Sequence, residues 1–230
     1  MSQPVALITG GAKRLGAHLA RGLAADGFRV VITYLGSQGA AEALAASIGG
    51  RAVRADVSQR ADVEALFGSI AEHEGRLDLL VNNVGVYEPT PVADLDPDGW
   101  DRQLGPNLNG AFYCCFHARP LMGDSGLIVN LGYAGVDALR ANPDATAYQV
   151  SKTGLLVLTK SLAAGWAPLR ANMISPGQLA NSVDLPDDLR CIPAGRAGTL
   201  DDILQALRFL RDAAYVTGVN IDVAGGYRLA

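Results

Sequence analysis

Tyr148 and Lys152 stand four residues apart in the run Tyr148-Gln149-Val150-Ser151-Lys152, where the pattern predicts a helix over 148–164. Residues four apart share a helix face, so the phenol and the amine point the same way. A tyrosine ordinarily keeps its proton to about pH 10. A neighbouring ammonium stabilises the phenolate and lowers that value. The pair is then a usable general acid/base for a step in which a hydride moves and a proton must follow.

A second chemical stretch is Thr9-Gly10-Gly11-Ala12-Lys13-Arg14-Leu15-Gly16, between an apolar run at 5–9 and an amphipathic one at 15–25. Glycines at such a turn let the backbone approach a pyrophosphate, and the free N–H groups of the helix start bind the anion. The turn predicts a dinucleotide site touching Gly10, Leu15 and Gly16. Arg14 stands where the common glycine fingerprint has a small residue. The second strand ends Ile32-Thr33-Tyr34-Leu35-Gly36-Ser37, without the acid that would grip a ribose 2′-OH. Guanidinium and hydroxyl groups would instead hold a 2′-phosphate. The expected cofactor is therefore NADP(H), with Lys13, Arg14 and Ser37 on that phosphate. The alternative for Lys13 and Arg14 is a pair of solvated charges with no such task.

Positioning these groups requires a particular framework. Apolar runs at 5–9, 30–34, 52–55, 79–82, 127–131, 171–174 and 219–223 read as strands. Between them lie helical patterns at 15–25, 38–48, 60–73, 98–104, 107–122, 148–164 and 201–210, with Pro106 breaking the fourth from the fifth. This alternation implies a parallel sheet of about seven strands under helices on both faces, a three-layer, doubly wound α/β fold of Rossmann type. Residues 1–230 form one domain. Residues 178–198, with Pro186, Pro193, Asp184, Asp187 and Asp188, read as a loop or lid over the substrate. Tyr87, Glu88, Tyr133 and Asp137 are the expected wall of its pocket.

Composition excludes several classes. The chain has 230 residues, 49% of them hydrophobic, and a net charge of −4. Lys and Arg are scattered among acids, so nucleic acid is not an expected partner. No apolar run reaches the ~18 residues of a membrane helix, and the N-terminal pattern does not fit a secretory leader. Cys114, Cys115 and Cys191 form no spaced pairs, and His18, His73 and His117 lack ligand spacing, so no metal is expected and a reducing cytoplasm is.

Taken together, residues 9–16, Asp56-Val57, Asn82-Asn83-Val84-Gly85, Asn107, Tyr148 to Lys152, Pro176-Gly177, Val216-Thr217-Gly218 and Gly225-Gly226 resemble the short-chain dehydrogenase/reductase family over essentially the whole chain. The resemblance implies that Tyr148 is the proton donor, and that Lys152 binds the nicotinamide ribose and tunes Tyr148. It implies that Asn107 holds a water in the proton relay. Asp56 and Val57 would contact adenine, Asn83 would lie at the adenine-side ribose region, Gly85 would be a further cofactor-binding residue, and Pro176 and Gly177 would border the nicotinamide. Arg14 makes the turn most similar to the pteridine-reductase-like branch.

Two positions depart from the family pattern. Val84 replaces an alanine, a packing change. The fifth strand lacks its catalytic serine: Tyr133 occupies that place counting along the strand, Gly132 counting back from Gly135. Tyr133 either donates a hydrogen bond or forms a wall. The expected reaction moves a hydride from NADPH to a C=O or C=N group of a small molecule. A non-catalytic NADP-binding sensor is the alternative that the missing serine favours. A homotetramer is expected, with helices 107–122 and 148–164 meeting their mates through Phe112, Phe116, Leu155, Leu156 and Leu158, and with residues 227–230 at another two-fold interface.

Overall fold

In the computed structural model, residues 3–182, 185 and 187–227 are described. The apolar runs pair as seven parallel strands: β1 (Val5–Ile8), β2 (Arg29–Tyr34), β3 (Arg51–Arg54), β4 (Leu79–Asn82), β5 (Leu127–Leu131), β6 (Arg170–Pro176) and β7 (Asn220–Val223). Their order across the sheet is β3-β2-β1-β4-β5-β6-β7. Ile8 aligns with both Ile32 of β2 and Val81 of β4, so β1 lies at the centre. The winding reverses between β1 and β4, and a crevice for ligands forms at that point, beyond the carboxyl ends of the strands.

β1 shows why the strands are apolar without alternation. Ala6 and Ile8 face one side of the sheet, Val5 and Leu7 the other, and all four are buried. On the first side pack α1 (Arg14–Ala25), α2 (Gln38–Ser47) and α7 (Leu200–Asp212), through Leu19, Leu23, Leu44, Ile203 and Leu207. On the second pack α3 (Arg60–His73), α5 (Gly110–Ala118) and α6 (Thr146–Gly165), through Leu66, Ile70, Cys114, Cys115 and Leu162. Each such leucine or isoleucine withdrawn from water contributes about 1.5–3 kcal/mol before the entropy of ordering it is counted.

Pro106 does not break the chain as expected. Between α4 (Pro97–Leu104) and α5, residues Gly105–Asn109 form a wider π-helical turn, and the helix runs through. Proline has no N–H to give and its ring crowds the preceding turn. The wider turn accommodates it, as π-bulges do, often beside functional groups. Asn107 lies within it, 1% exposed. The following α-helix ends at Ala118 and continues only as a short 3₁₀ turn over Arg119–Leu121.

The two apolar helices also sort differently from expectation. Leu155 and Leu156 are buried in the chain's own core and Leu158 packs partly against it. The apolar side chains that α5 and α6 leave exposed are Phe112, Phe116, Val150 and Val157. No helix among the described residues is long and apolar enough to cross a membrane, and none of the described residues form a cluster of metal-ligating side chains.

Candidate active site

α6 carries Tyr148 and Lys152 to the carboxyl ends of β4, β5 and β6. Lys152 is 3% exposed, and its Nζ donates to the carbonyl of Leu131, the last residue of β5, at 2.8 Å. Burial lowers its pKa from 10.5 to about 8. A charged amine loses hydration inside a protein, which favours the neutral form. The Nζ stands 6.0 Å from the centroid of the Tyr148 ring. That ring meets Tyr87 edge to face at 4.9 Å and lies 5.7 Å from Tyr133.

Asn107 is the clamp between α6 and the segment after β4. Its Oδ1 accepts from the Val86 N–H at 2.7 Å, and its Nδ2 donates to the Val86 carbonyl at 2.9 Å and to Ser151 Oγ at 3.2 Å. Ser151 in turn donates to the Tyr148 carbonyl at 2.7 Å. Gly85 leaves room beside this clamp: a Cβ there would come to 3.4 Å from Lys152 Nζ and 3.7 Å from Asn107 Oδ1.

The strand-to-helix turn has the expected cradle. Gly10 has φ +62°, and its N–H donates to Thr33 Oγ1 at 3.0 Å. A Cβ on Gly16 would stand 2.6 Å from the Gly10 carbonyl, so the turn closes only with glycine there. Asn83 Nδ2 donates to the carbonyls of Thr9 and Gly10 at 2.9 and 3.2 Å, which ties the turn to the end of β4. Arg14 has φ +50°, a left-handed conformation that suits glycine far better. This is the reason the fingerprint has a small residue at this place.

Two cavities flank the turn. One, of about 330 Å³, is lined by Leu15, Asn83, Gly85, Tyr148 and Lys152, with Pro176 and Gly177 at its edge. The other, of about 690 Å³, is lined by Gly10, Tyr34, Leu35, Asp56 and Val57, with Val84 between them and the first cavity. The Asp56 carboxylate accepts from the Ser58 N–H and hydroxyl at 2.9 and 2.7 Å, which shapes this wall. Neither Lys13, Arg14 nor Ser37 lines the larger cavity. Lys13 is exposed, and Ser37 opens α2, where its carbonyl accepts from the Ala41 N–H at 3.0 Å. Arg14 instead donates from Nη2 to the carbonyl of Asn181, on the predicted substrate loop.

The structure brings Tyr133 to the cavity, and Gly132 with it. A Cβ on Gly132 would stand 2.5 Å from Ser175 Oγ and 2.7 Å from Met173 Sδ. A side chain at 132 would crowd these two side chains, whereas the Tyr133 ring already lines the cavity. Of the expected wall, Tyr87 and Tyr133 line the cavity; Glu88 and Asp137 do not, Glu88 lying 3.5 Å from Arg102 Nε instead. From the 178–198 segment, Gln178, Leu179 and Ser182 line it, whereas Asp184 and Pro186 are outside the described residues. Tyr227, expected at a two-fold interface and not at the site, lines the cavity. The Gly225-Gly226 pair before it was a visible sign of a sharp turn. Residues 228–230 are outside the described residues.

A turn built for pyrophosphate, with a cavity at each end and an acid/base pair in one of them, defines a dinucleotide-dependent oxidoreductase. Residues 10–228 match the family model described as enoyl-(acyl carrier protein) reductase. The chain is 37% identical to D-threitol dehydrogenase of Mycolicibacterium smegmatis, over 98% of this chain and 93% of that one. It is 32% identical to 3-oxoacyl-[acyl-carrier-protein] reductase of Synechocystis, over 98% and 97%. A blue fluorescent protein from a metagenomic library, solved in complex with NADPH, superposes with a TM-score of 0.90 at 31% identity, covering 98% of each chain. The chain belongs to the short-chain dehydrogenase/reductase family, and it is an oxidoreductase of that family.

The residues present fit a nicotinamide dinucleotide. The larger cavity suits its adenosine half, the glycine turn its pyrophosphate, and the smaller cavity its nicotinamide end beside Tyr148. Gly85 leaves the Lys152 ammonium within reach of ribose hydroxyls.

Proposed function

We propose that the protein is an NADPH-dependent reductase of a C=O or C=N group in a small molecule, with Tyr148 as proton donor. The observation that carries this reading is the meeting of Tyr148 and the buried Lys152 in one cavity at the end of the phosphate-binding turn. The bound cofactor supplies the hydride. The chain does the rest. Tyr148 gives its proton to the substrate heteroatom as charge develops there. Lys152, held by Leu131, stabilises the resulting phenolate and offers its remaining N–H groups to the nicotinamide ribose. Asn107 holds Val86 and Ser151 in place, and with them the floor under Tyr148. It also borders the space left by Gly85, where a relay water fits.

Tyr133 takes the serine's role and donates to the substrate oxygen. Removing one such donor typically costs about 10²–10³ in rate. With no serine to polarise a carbonyl, C=N reduction, the chemistry of the pteridine-reductase-like branch, stays within this reading. The same absence favours the second reading, a non-catalytic NADP-binding sensor. The two differ in a single assay: NADPH oxidation against ketones, polyol-derived ketoses and cyclic imines. Turnover of any of them supports the reductase; NADPH binding without turnover across the panel supports the sensor.

The preference for NADPH rests on β2, which ends in Thr33-Tyr34 at the larger cavity and is followed by Leu35, without an acid there to repel a 2′-phosphate. Arg14 and Lys13 stand on exposed, flexible stems at the start of α1, with Ser37 at the start of α2. Calorimetry with NADPH and NADH tests this; equal or tighter NADH binding contradicts it. Phe112, Phe116, Val150 and Val157 on adjoining helices form an apolar face suited to a symmetry mate, which supports a homotetramer. A cytoplasmic location accords with the buried, unpaired thiols of Cys114 and Cys115.

A further inference from the structure

Four of the seven tyrosines in the chain face the smaller cavity: Tyr87, Tyr133, Tyr148 and Tyr227. They come from four separate segments. Tyr227 arrives by a turn that needs glycine. Gly225 and Gly226 have φ +59° and +84°. A Cβ on Gly225 would stand 2.9 Å from Ala194 Cβ, and one on Gly226 2.9 Å from Pro193 Cγ. The Ala194 N–H donates to the Gly225 carbonyl at 2.9 Å. Gly225 and Gly226 are thus held against Pro193 and Ala194, and Tyr227 lines the cavity.

Charge is scarce in this chamber. Among the described residues that line it, Lys152 is the only charged side chain, and it is held by Leu131. The other polar side chains facing the substrate are neutral: Asn142, Gln149, Gln178 and Ser182. Among the described lining residues there is no arginine to pair with a carboxylate or phosphate, and no acid to pair with a cation. An ion taken from water without such a partner costs several kcal/mol. Aromatic walls favour ring faces and edges beyond their buried area. The volume of about 330 Å³ must hold the nicotinamide end as well as the substrate. Sharing the cavity with the nicotinamide favours a compact substrate.

Building on the reductase reading, we propose that Tyr227 is a specificity-determining residue, and that with Tyr87 it selects compact, uncharged, ring-bearing carbonyl compounds, of which an aryl ketone is the simplest. The selection differs from that expected of a site for polyols or for acyl chains on an acidic carrier.

The test is calorimetric and uses the complex with NADP⁺, in which no hydride is available and binding is read without turnover. Acetophenone, octan-2-one with the same number of carbons, and anionic 4-acetylbenzoate are titrated in turn. Acetophenone should bind about tenfold tighter than octan-2-one, the effect of one or two aromatic contacts, and also tighter than 4-acetylbenzoate, whose carboxylate finds no free partner. Tyr227→Ala should abolish the preference over octan-2-one while NADP⁺ affinity stays within about twofold. Tyr87→Ala, in a separate segment of the lining, should weaken it independently and serves if the first variant does not fold. Equal binding of the three ketones by the unaltered protein, or a preference that survives both substitutions, overturns the proposal. NADPH oxidation with acetophenone is read separately. Selective binding without oxidation supports the recognition, and the reductase reading is then rejected only by absence of turnover across the whole panel of ketones, ketoses and imines, so the two fail in different measurements.

Discussion

Lys152 Nζ donates to the Leu131 carbonyl at 2.8 Å, which joins α6 to the last residue of β5. This bond keeps an amine in a place where burial disfavours its charge. The lowered pKa of about 8 makes its protonation sensitive near neutral pH. The kcat/KM profile reports groups of the free enzyme. We expect kcat/KM for reduction to fall as pH rises through about 8, when the ammonium beside Tyr148 is lost. A flat profile between pH 7 and 9 contradicts this.

The same group sets a stability slope of definite sign. In the folded protein Lys152 titrates near 8, and in the unfolded chain near 10.5. Between these values the unfolded state binds more protons, so stability rises with pH across this window. Lys152→Met should flatten that contribution. Urea midpoints at pH 8 and pH 10 for the two proteins measure it.

Arg14 pairs a strained backbone with a long reach. Its φ of +50° costs of order 1–3 kcal/mol, which glycine would avoid. Arg14→Gly should therefore raise the melting temperature by a few degrees, on the scale of about 2–4 °C per kcal/mol for a chain of this size. It should also free the carbonyl of Asn181. If Arg14 grips the cofactor's phosphate as well, NADPH affinity falls while NADH affinity holds. A lower melting temperature contradicts the strain argument.

Positions 132 and 133 should respond in opposite ways. Gly132→Ser places a Cβ 2.5 Å from Ser175 Oγ and should destabilise the fold without restoring a catalytic serine. Tyr133→Phe keeps the ring beside Tyr148 and removes only the hydroxyl. If Tyr133 is the donor, turnover drops by about 10² and stability barely changes. Unchanged turnover makes Tyr133 a wall.

Much of this architecture was legible in the sequence. The strand at 79–82, the helix at 60–73 and the strand at 127–131 have the bounds that their apolar patterns imply. Local periodicity suffices where a segment's partners are the ordinary faces of a sheet. The π-helical turn at Gly105–Asn109 was not legible, because proline marks a break and only tertiary packing carries a helix through it. Spacing placed Tyr148 over Lys152, since one helical turn fixes both. Spacing could not place Tyr227, whose route depends on contacts with Pro193 and Ala194, more than thirty residues earlier. Nor could it aim Arg14, whose direction follows from a positive φ that arginine seldom adopts.

The proton donor is the group on which the proposed reaction depends most directly. Tyr148→Phe removes one oxygen and little volume, so the protein should fold and bind NADPH with an affinity within a few-fold of the unaltered chain. NADPH oxidation with the best ketone or imine of the panel should fall by about 10²–10⁴, the usual contribution of general acid catalysis. Near-normal turnover by Tyr148→Phe, with NADPH binding intact, would contradict the assignment of the site.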